Sequence, residues 1–176
     1  MGVDLERYSR QILFDKIGEA GQEKLAGGSA LVVGCGALGA AVASLLVRAG
    51  VGTVRLVDRD VVEASNLHRQ ILFDEADAAA RLPKAEAAAR KLRAMNRACR
   101  IEAHVADVTP RNVERLVAGM SVVVDGLDNF EARYLINDAC VSASIPWVYG
   151  GVLGSVGVTM TVLPGGRAST SARTRL

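Results

Sequence analysis

Three closely spaced glycines, Gly34, Gly36 and Gly39, form the pattern G-x-G-x-x-G between a β-branched run and an apolar stretch. Between a strand and a helix, this pattern lets the backbone approach a phosphate, which the helix amino terminus stabilises with free N–H groups and its dipole. Asp58 follows about twenty residues later, where a carboxylate accepts hydrogen bonds from ribose hydroxyls. The combination predicts an adenine nucleotide site. The alternative is a set of glycines that serve only a tight packing turn.

The segment after Asp58 is rich in side chains that bind phosphates. It reads RDVVEASNLHRQ over residues 59–70. A dinucleotide domain gains little from this composition, whereas arginine forks, a lysine and amides neutralise and orient a triphosphate. Besides Asp58, the residues that we interpret as nucleotide-binding are Asp60, Asn66, Arg69, Gln70 and Lys84. Taken alone, Lys84 is better interpreted as a solvated lysine in the first turn of a helix, and Arg69 alone fits a phosphate-binding and a solvated role equally well. No Walker-type G-x-x-x-x-G-K-[ST] loop occurs.

A second acidic segment, DGLDNF over residues 125–130, follows another β-branched run. Ligands of open α/β sheets bind at the carboxyl ends of strands, and a carboxylate there can hold Mg²⁺ against phosphate oxygens. We therefore predict Asp128 as a magnesium ligand. The alternative is that Asp128 or Asn129 only caps the helix that follows.

The elements that position these residues alternate between strands and helices. Strands are predicted at 30–33, 53–57, 101–105 and 121–124, and helices at 37–49, 83–95, 109–118 and 131–144, from apolar runs, Pro and Gly boundaries and helical spacing. This alternation predicts an α/β, Rossmann-like, doubly wound and mainly parallel sheet with helices on both faces. Polar helices over residues 4–26 form an N-terminal extension, and two strands at 148–153 and 156–163 close the sheet as an antiparallel pair.

The composition excludes several classes of protein. Of 176 residues, 50% are apolar, which predicts one ordered domain, over residues 1–164. The final GGRASTSARTRL, residues 165–176, has three arginines and no acid, and is predicted to be a disordered tail. A net charge of +2 and 4% aromatic residues argue against nucleic-acid binding. The three separated cysteines, the absence of a signal peptide and short apolar stretches predict a cytoplasmic protein with no membrane partner.

In their order along the chain, these motifs resemble those of the ThiF/MoeB/HesA family, bacterial relatives of ubiquitin-activating enzymes. The resemblance covers residues 5 to 164. Besides the glycine loop, it rests on RYSRQ at 7–11, DRD at 58–60, SNLHRQ at 65–70, PKAE at 83–86, and DGLDNF at 125–130 with Arg133.

The resemblance implies an ATP- and Mg²⁺-dependent adenylyltransferase that activates the C-terminal glycine of a ubiquitin-like sulfur-carrier protein. Transferred motif by motif, Gly34, Gly36 and Gly39 approach the phosphates and Asp58 holds the ribose. Asn66, Arg69 and Lys84 contact phosphates, and Asp128 binds Mg²⁺. Arg10 matches an arginine that reaches the nucleotide of a partner subunit, which implies a homodimer. The catalytic set is thus Arg10, Arg69, Lys84 and Asp128. Read without the resemblance, Arg10 is an exposed helix residue.

The chain departs from the family pattern after residue 164. The family's paired C-x-x-C motifs do not occur there, so a Cys₄ zinc site is not predicted. No thiol chemistry is assigned to Cys35, Cys99 or Cys140, of which the last two are simplest as small core residues. Two other functions stay open: a nucleotide-binding remnant of a truncated protein without full activity, and a nicotinamide-dependent oxidoreductase. The residues that would separate thiamine, molybdopterin and other carrier pathways are not recognisable.

Overall fold

A computed structural model describes residues 4–165 and 169–175 of the chain. One seven-stranded sheet organises them, in the order β3-β2-β1-β4-β5-β6-β7. The strands are β1 (Ser29–Val33), β2 (Thr53–Asp58), β3 (Arg100–Val105), β4 (Val122–Asp125), β5 (Trp147–Leu153), β6 (Val156–Val162) and β7 (Ser169–Arg175). Neighbours from β3 to β5 run parallel, and β5, β6 and β7 pair antiparallel. The predicted mainly parallel α/β sheet is confirmed.

The helices lie between these strands. They are α1 (Ser9–Ile12), α2 (Gly18–Gly27), α3 (Ala37–Ala49), α4 (Glu75–Ala79), α5 (Lys84–Met95), α6 (Val113–Val117) and α7 (Phe130–Ser142). Helix α3 has the bounds that the sequence predicts, and Gly50 ends it with a left-handed φ of 86°. Helix α4 has no counterpart in the prediction; it begins at Glu75 and is capped by Asp74, whose side chain accepts a hydrogen bond from the N–H of Asp77 in a capping box.

Strand β1 shows why the centre of the sheet is apolar on both faces. Ala30 and Val32 join the core layer that contains residues of α3 and α5, while Leu31 and Val33 join the layer that contains residues of α6 and α7. Because successive side chains of a strand point to opposite faces, a strand covered by helices on both sides must be apolar at every position. The two layers of helices therefore fix the sheet and, with it, the loops at its edges.

Helix α6 is shorter than the helix predicted over residues 109–118. Asn112 accepts a hydrogen bond from the N–H of Thr109 at 2.9 Å and donates one to the carbonyl of Asp107 at 2.8 Å. This side chain organises the preceding residues as turns, so that the helix begins only at Val113.

The N-terminal extension is tied to the end of α3. Gln11 donates hydrogen bonds to Gln22 at 2.6 Å and to the carbonyl of Ala49 at 2.9 Å, and Asn96 donates one to the hydroxyl of Tyr8 at 2.8 Å. A side chain at Gly50 would lie 2.5 Å from the ring of Tyr8, so only glycine leaves room for this contact. The predicted helical extension is confirmed as α1 and α2.

The C-terminal part of the sheet includes one correction. Strands β5 and β6 form the predicted antiparallel pair, joined at Gly154 with a φ of +59°. The structure differs from the prediction of a disordered tail, because Ser169–Arg175 pair with β6 as strand β7. Pairing with an open edge strand uses backbone groups and does not require apolar side chains, so low hydropathy alone does not exclude a strand. Residues 166–168 and 176 of that prediction lie outside the described residues, and the domain boundary at 164 stays a prediction.

Within residues 4–165 and 169–175, no helix combines the length and the hydropathy needed to cross a bilayer.

Candidate functional site

A cleft of about 1420 Å³ opens at the carboxyl ends of β1, β2 and β4. Strand β1 has β2 on one side and β4 on the other, and the chain crosses over in opposite directions to reach them. This is the topological switch point at which open α/β sheets bind ligands. We call its two sides the β2 wall, made by Asp58, Asp60 and Lys84, and the β4 wall, made by residues 125–130 and Arg133.

The glycine loop forms the floor between the walls. Gly34 and Gly36 line the cleft. Gly34 has a φ of +88°, and a Cβ there would lie 2.8 Å from the carbonyl oxygen of Gly126. Gly36 precedes the first residue of α3, whose free amino-terminal N–H groups therefore face an anion site. The loop therefore exposes backbone groups of Gly34 and Gly36 at the floor of the cleft.

Gly39 differs from its predicted role. It does not appear among the residues that line the cleft. A Cβ on Gly39 would lie 1.8 Å from the carbonyl oxygen of Gly34, and one on Gly126 would lie 2.8 Å from the Cα of Gly39. The third glycine of the loop therefore lets α3 pack against the backbone of both walls, and does not itself face the ligand.

Asp58 stands at the end of β2 with its carboxylate held by backbone groups. Oδ2 accepts a hydrogen bond from the N–H of Cys35 at 2.6 Å, and Oδ1 accepts one from the N–H of Asp60 at 2.8 Å. Burial raises the pKa of Asp58 above its ordinary value, while these two backbone N–H groups act in the opposite direction. The carboxylate links the glycine loop to the β2 wall and lines the cleft where a ribose hydroxyl would approach.

Lys84, the first residue of α5, is buried, with a relative exposure of 6%. Its ammonium lies 3.0 Å from the carboxylate of Asp60, and its backbone N–H donates to the carbonyl of Asp60 at 2.8 Å. The alternative interpretation of a solvated lysine is therefore wrong. Asp60, predicted to bind the nucleotide, is seen here as the partner of Lys84, although both residues line the cleft.

A short 3₁₀ turn, Ala64–Asn66, ends at Asn66, and Arg69 and Gln70 come shortly after it. All three residues line the cleft. Arg69 is exposed, so its guanidinium is free to turn toward an anion. Gln70 is 3% exposed, and its Oε1 has no hydrogen-bond partner among the described residues. A buried amide oxygen without a partner is unfavourable by roughly 1–3 kcal/mol, which a ligand or a water molecule in the cleft would relieve.

The structure distinguishes the two residues of the β4 wall that could cap α7, Asp128 and Asn129. Asn129 caps α7, because its side-chain oxygen accepts a hydrogen bond from the N–H of Ala132 at 3.0 Å. Asp128 does not cap the helix; it is exposed in the cleft without a hydrogen-bond or ion-pair partner among the described residues. An unengaged carboxylate beside a phosphate site fits Mg²⁺, which is commonly bound by one or two carboxylates plus phosphate oxygens and water.

The sequence assigns no role to Arg133 of this wall or to Tyr149 of the neighbouring strand β5. The guanidinium of Arg133 donates from Nε to the carboxylate of Asp125 at 2.8 Å and lies over the ring of Tyr149, 4.7 Å from its centroid. Arg133 and Tyr149 both line the cleft. Arg133 stands out in the sequence because it belongs to the family motif, whereas no sequence signal points to Tyr149, the third residue of β5.

Arg10 and the cysteines lie outside the cleft lining. Arg10 is exposed on α1. Burial raises the pKa of the Cys35 thiol far above its ordinary value, and those of Cys99 and Cys140 to about 11. Burial therefore disfavours the thiolate, the reactive form of cysteine, at all three positions. In the described part of the chain, no group of three or more His, Cys, Asp or Glu residues is arranged to hold a metal ion.

Comparison with known proteins agrees with this architecture. A Rossmann-like α/β domain with its cleft at the switch point is the class that the fold and the site define. The family model described as "ThiF family" matches residues 8–174. The chain belongs to the ThiF family.

Individual relatives extend the comparison. The chain is 51% identical to the sulfur carrier protein ThiS adenylyltransferase of Bacillus subtilis, over 90% of the chain and 47% of that protein. It is 44% identical to the SAMP-activating enzyme E1 of Haloferax volcanii, over 93% of the chain and 60% of that protein. Its structure superposes on E. coli MccB, crystallised with AMPCPP and MccA, with a TM-score of 0.81 and 28% identity, covering 92% of the chain and 49% of MccB. The chain thus spans about half the length of the relatives it matches.

Proposed function

We propose that this chain is an ATP- and Mg²⁺-dependent adenylyltransferase that activates the C-terminal glycine of a ubiquitin-like sulfur-carrier protein. The observation that carries the proposal is that one cleft collects the glycine loop with Arg69, Lys84 and Asp128, which are far apart in the sequence. The names of the Bacillus and Haloferax relatives describe this kind of activity, and MccB was crystallised with an ATP analogue.

The proposed reaction needs no nucleophile or base from the protein. The carrier's carboxylate is already ionised, and one of its oxygens forms a bond to the α-phosphorus of ATP. The bond from that phosphorus to the bridging oxygen breaks, and its electron pair leaves with pyrophosphate. Catalysis then consists of positioning the reactants and stabilising negative charge.

The residues of the cleft divide this work. The backbone of Gly34 and Gly36 approaches the phosphates, and the carboxylate of Asp58 accepts ribose hydroxyls. Lys84 and Arg69 stabilise the charge that moves onto pyrophosphate, with the amides of Asn66 and Gln70 beside them. Asp128 would hold Mg²⁺, which would supply positive charge that offsets the negative charge of the phosphates.

A homodimer completes the proposal. Arg10 lies outside the cleft of its own chain, so any contact with a nucleotide has to be made in a second copy. Apolar side chains lie exposed beside it on the N-terminal extension, Leu13 at 70% and Phe14 at 56%, and on α7 beside the cleft, Phe130 at 65% and Tyr134 at 69%. Burial of such a set against a second copy is favourable. The three cysteines are free thiols, which fits a reducing cytoplasm.

Carrier-dependent exchange of labelled pyrophosphate into ATP tests the proposal. We expect exchange that requires both Mg²⁺ and the carrier, and that Asp128→Ala or Arg69→Ala abolishes. Asp138→Ala and Arg111→Ala are matched controls, since both residues are exposed and neither lines the cleft. ATP binding without exchange, in the presence of a cognate carrier, would instead identify a nucleotide-binding remnant. Tight NAD binding that ATP does not compete with would identify an oxidoreductase.

A further inference from the structure

Arg133, a residue of α7, contacts three other elements at the β4 wall. Its Nε donates to the carboxylate of Asp125 at the end of β4, at 2.8 Å. Its Nη2 donates to the carbonyl of Leu127 in the following loop at 2.5 Å and to the carbonyl of Gly150 in β5 at 2.9 Å. The side chain itself comes from the first turn of α7. One guanidinium therefore ties the strand end, the loop, the helix and the neighbouring strand together.

The surroundings of this guanidinium hold it in one orientation. Its central carbon lies 4.7 Å from the centroid of the Tyr149 ring and 5.3 Å from that of Phe130. The carboxylate of Asp125 is fully buried, and its second oxygen accepts a hydrogen bond from the N–H of Leu127 at 2.8 Å. The N–H of Gly126 donates to the carbonyl of Val33 at 2.8 Å, and the next residue, Leu127, is held through its N–H by Asp125 and through its carbonyl by Arg133.

We propose that Arg133 is a positioning residue that sets the place of Asp128 in the cleft and couples it to β5. This inference rests on the proposed function, because it concerns the ion that Asp128 would bind. Arg133 donates to the carbonyl of Leu127, one residue before Asp128. The carboxylate of Asp128 is exposed and has no hydrogen-bond or ion-pair partner within residues 4–165 and 169–175. Replacing a residue that orients a metal-binding carboxylate without touching the metal typically lowers metal affinity or activity by roughly 10- to 100-fold.

Arg133→Lys tests the inference, because lysine keeps the charge but has no planar fork with which to reach three acceptors. Arg55→Lys is the matched control. Arg55 also pairs with a carboxylate, Glu102 at 2.7 Å, and donates to a backbone carbonyl, that of Leu116 at 2.7 Å, but it does not line the cleft. The measurement is the affinity for ATP by calorimetry, without carrier, in EDTA and then in Mg²⁺, with thermal unfolding as the check of folding.

We expect Arg133→Lys to bind metal-free ATP within about twofold of the parent chain, and to lose about 10- to 100-fold of the strengthening that Mg²⁺ gives. Arg55→Lys should leave both affinities unchanged. A folded Arg133→Lys variant that keeps the full Mg²⁺ effect would overturn the inference. So would an equal loss of affinity with and without Mg²⁺, because that pattern indicates direct contact with the nucleotide.

A second variant covers the case in which Arg133→Lys does not fold. Asp125→Asn combined with Arg133→Gln removes both charges, leaves none unpaired in the interior and still loses the fork. It should show the same reduced Mg²⁺ effect, and a full effect would contradict the inference. A parent chain whose ATP binding does not respond to Mg²⁺ would overturn the proposed function and the inference together. A responsive parent with unaffected variants overturns the inference alone.

Discussion

The two walls of the cleft use a similar arrangement of charges to different ends. Each has an acidic residue at or just after a strand end, Asp60 after β2 and Asp125 in β4. Each of these is paired with a cation from the first turn of a later helix, Lys84 in α5 or Arg133 in α7. In the β2 wall the carboxylate side chain is 55% exposed, whereas in the β4 wall it is fully buried. A solvated partner lets the cation turn to a ligand, and a buried partner does not.

On the proposed function, this difference distinguishes Lys84, proposed to bind phosphate, from Arg133, proposed to position the loop. Lys84 can exchange part of its interaction with Asp60 for a phosphate oxygen, since water already stabilises the carboxylate that it leaves. If Arg133 turned to a ligand, the carboxylate of Asp125 would stay buried without a counter-charge, which is strongly unfavourable. The free charge of the β4 wall is therefore Asp128, and the cation there serves to hold the loop.

The largest expected effect is on stability, and it tests the difference in burial directly. Asp125→Asn leaves the guanidinium of Arg133 buried without its counter-charge and should lower the free energy of unfolding by about 3–5 kcal/mol. Asp60→Asn also leaves a buried cation, Lys84, but removes a carboxylate that is 55% exposed, so it should lower the free energy of unfolding by less, about 1–3 kcal/mol. Urea unfolding of both variants measures these values. Equal losses would show that the two pairs are buried alike and would remove the distinction.

The next effect is on activity and concerns the binding cation. Lys84→Ala should reduce pyrophosphate exchange by about 100- to 1000-fold, the loss typical of removing one group that stabilises charge in a transition state. Lys91→Ala is the control, because Lys91 also pairs with carboxylates, Asp74 and Asp77, but lies outside the cleft lining. Exchange rates per folded molecule decide the outcome. A Lys84→Ala variant as active as Lys91→Ala would make Lys84 a structural lysine.

Much of this architecture is readable from the sequence, because it depends on local patterns. The bounds of α3 follow from the glycine loop before it and from Gly50 after it, and the buried strands follow from unbroken apolar runs. The residues predicted around the nucleotide meet because strand ends of a parallel sheet share one edge. Such predictions need only spacing and residue type.

What the sequence could not reveal depends on contacts between distant residues. From the sequence, Lys84 looks like a solvated lysine, and only the structure shows that it pairs with Asp60. Likewise, only the orientation of the Asn129 side chain shows that Asn129, and not Asp128, caps α7. Gly39 belongs to the same motif as Gly34 and Gly36, but its packing role is visible only from the close approach of α3 to the loop. Strand β7 forms from a segment whose composition suggests none, because pairing depends on the edge that it meets.

A smaller effect tests the place where the walls meet. Gly39→Ala puts a Cβ 1.8 Å from the carbonyl oxygen of Gly34, so the helix and the loop must separate. We expect a loss of about 1–3 kcal/mol in the free energy of unfolding, as for other overpacked sites. Gly36→Ala is the contrast: its Cβ would lie 3.9 Å from the nearest atom, the amide nitrogen of Gln70, so the fold should be retained while ATP binds more weakly.

Unfolding and ATP titration of both glycine variants separate packing from binding. The reverse pattern, with Gly39→Ala stable and Gly36→Ala unfolded, would contradict the assignment of Gly39 to the packing of α3.

The smallest effect is a dependence of stability on pH, and it compares a buried carboxylate with an exposed one. Burial raises the pKa of Asp58 above its ordinary 3.8, whereas the ammonium of Lys91 lowers the pKa of Asp74 below that value. The folded state therefore favours protonated Asp58, and the stability that Asp58 contributes falls as the pH rises from 3.8 through its folded pKa. Asp74 has the opposite sign: its contribution is present above 3.8 and is lost as the pH falls through its folded pKa.

Two asparagine variants isolate these contributions. Relative to the parent chain, Asp58→Asn should become more stable as the pH rises above 3.8 across the mildly acidic range. Asp74→Asn should become relatively less stable as the pH rises toward 3.8 from below. Urea unfolding of the three proteins at a series of pH values measures both differences. Parallel profiles for the two variants would mean that burial does not govern Asp58, and that the carboxylate is as well solvated as an ordinary surface residue.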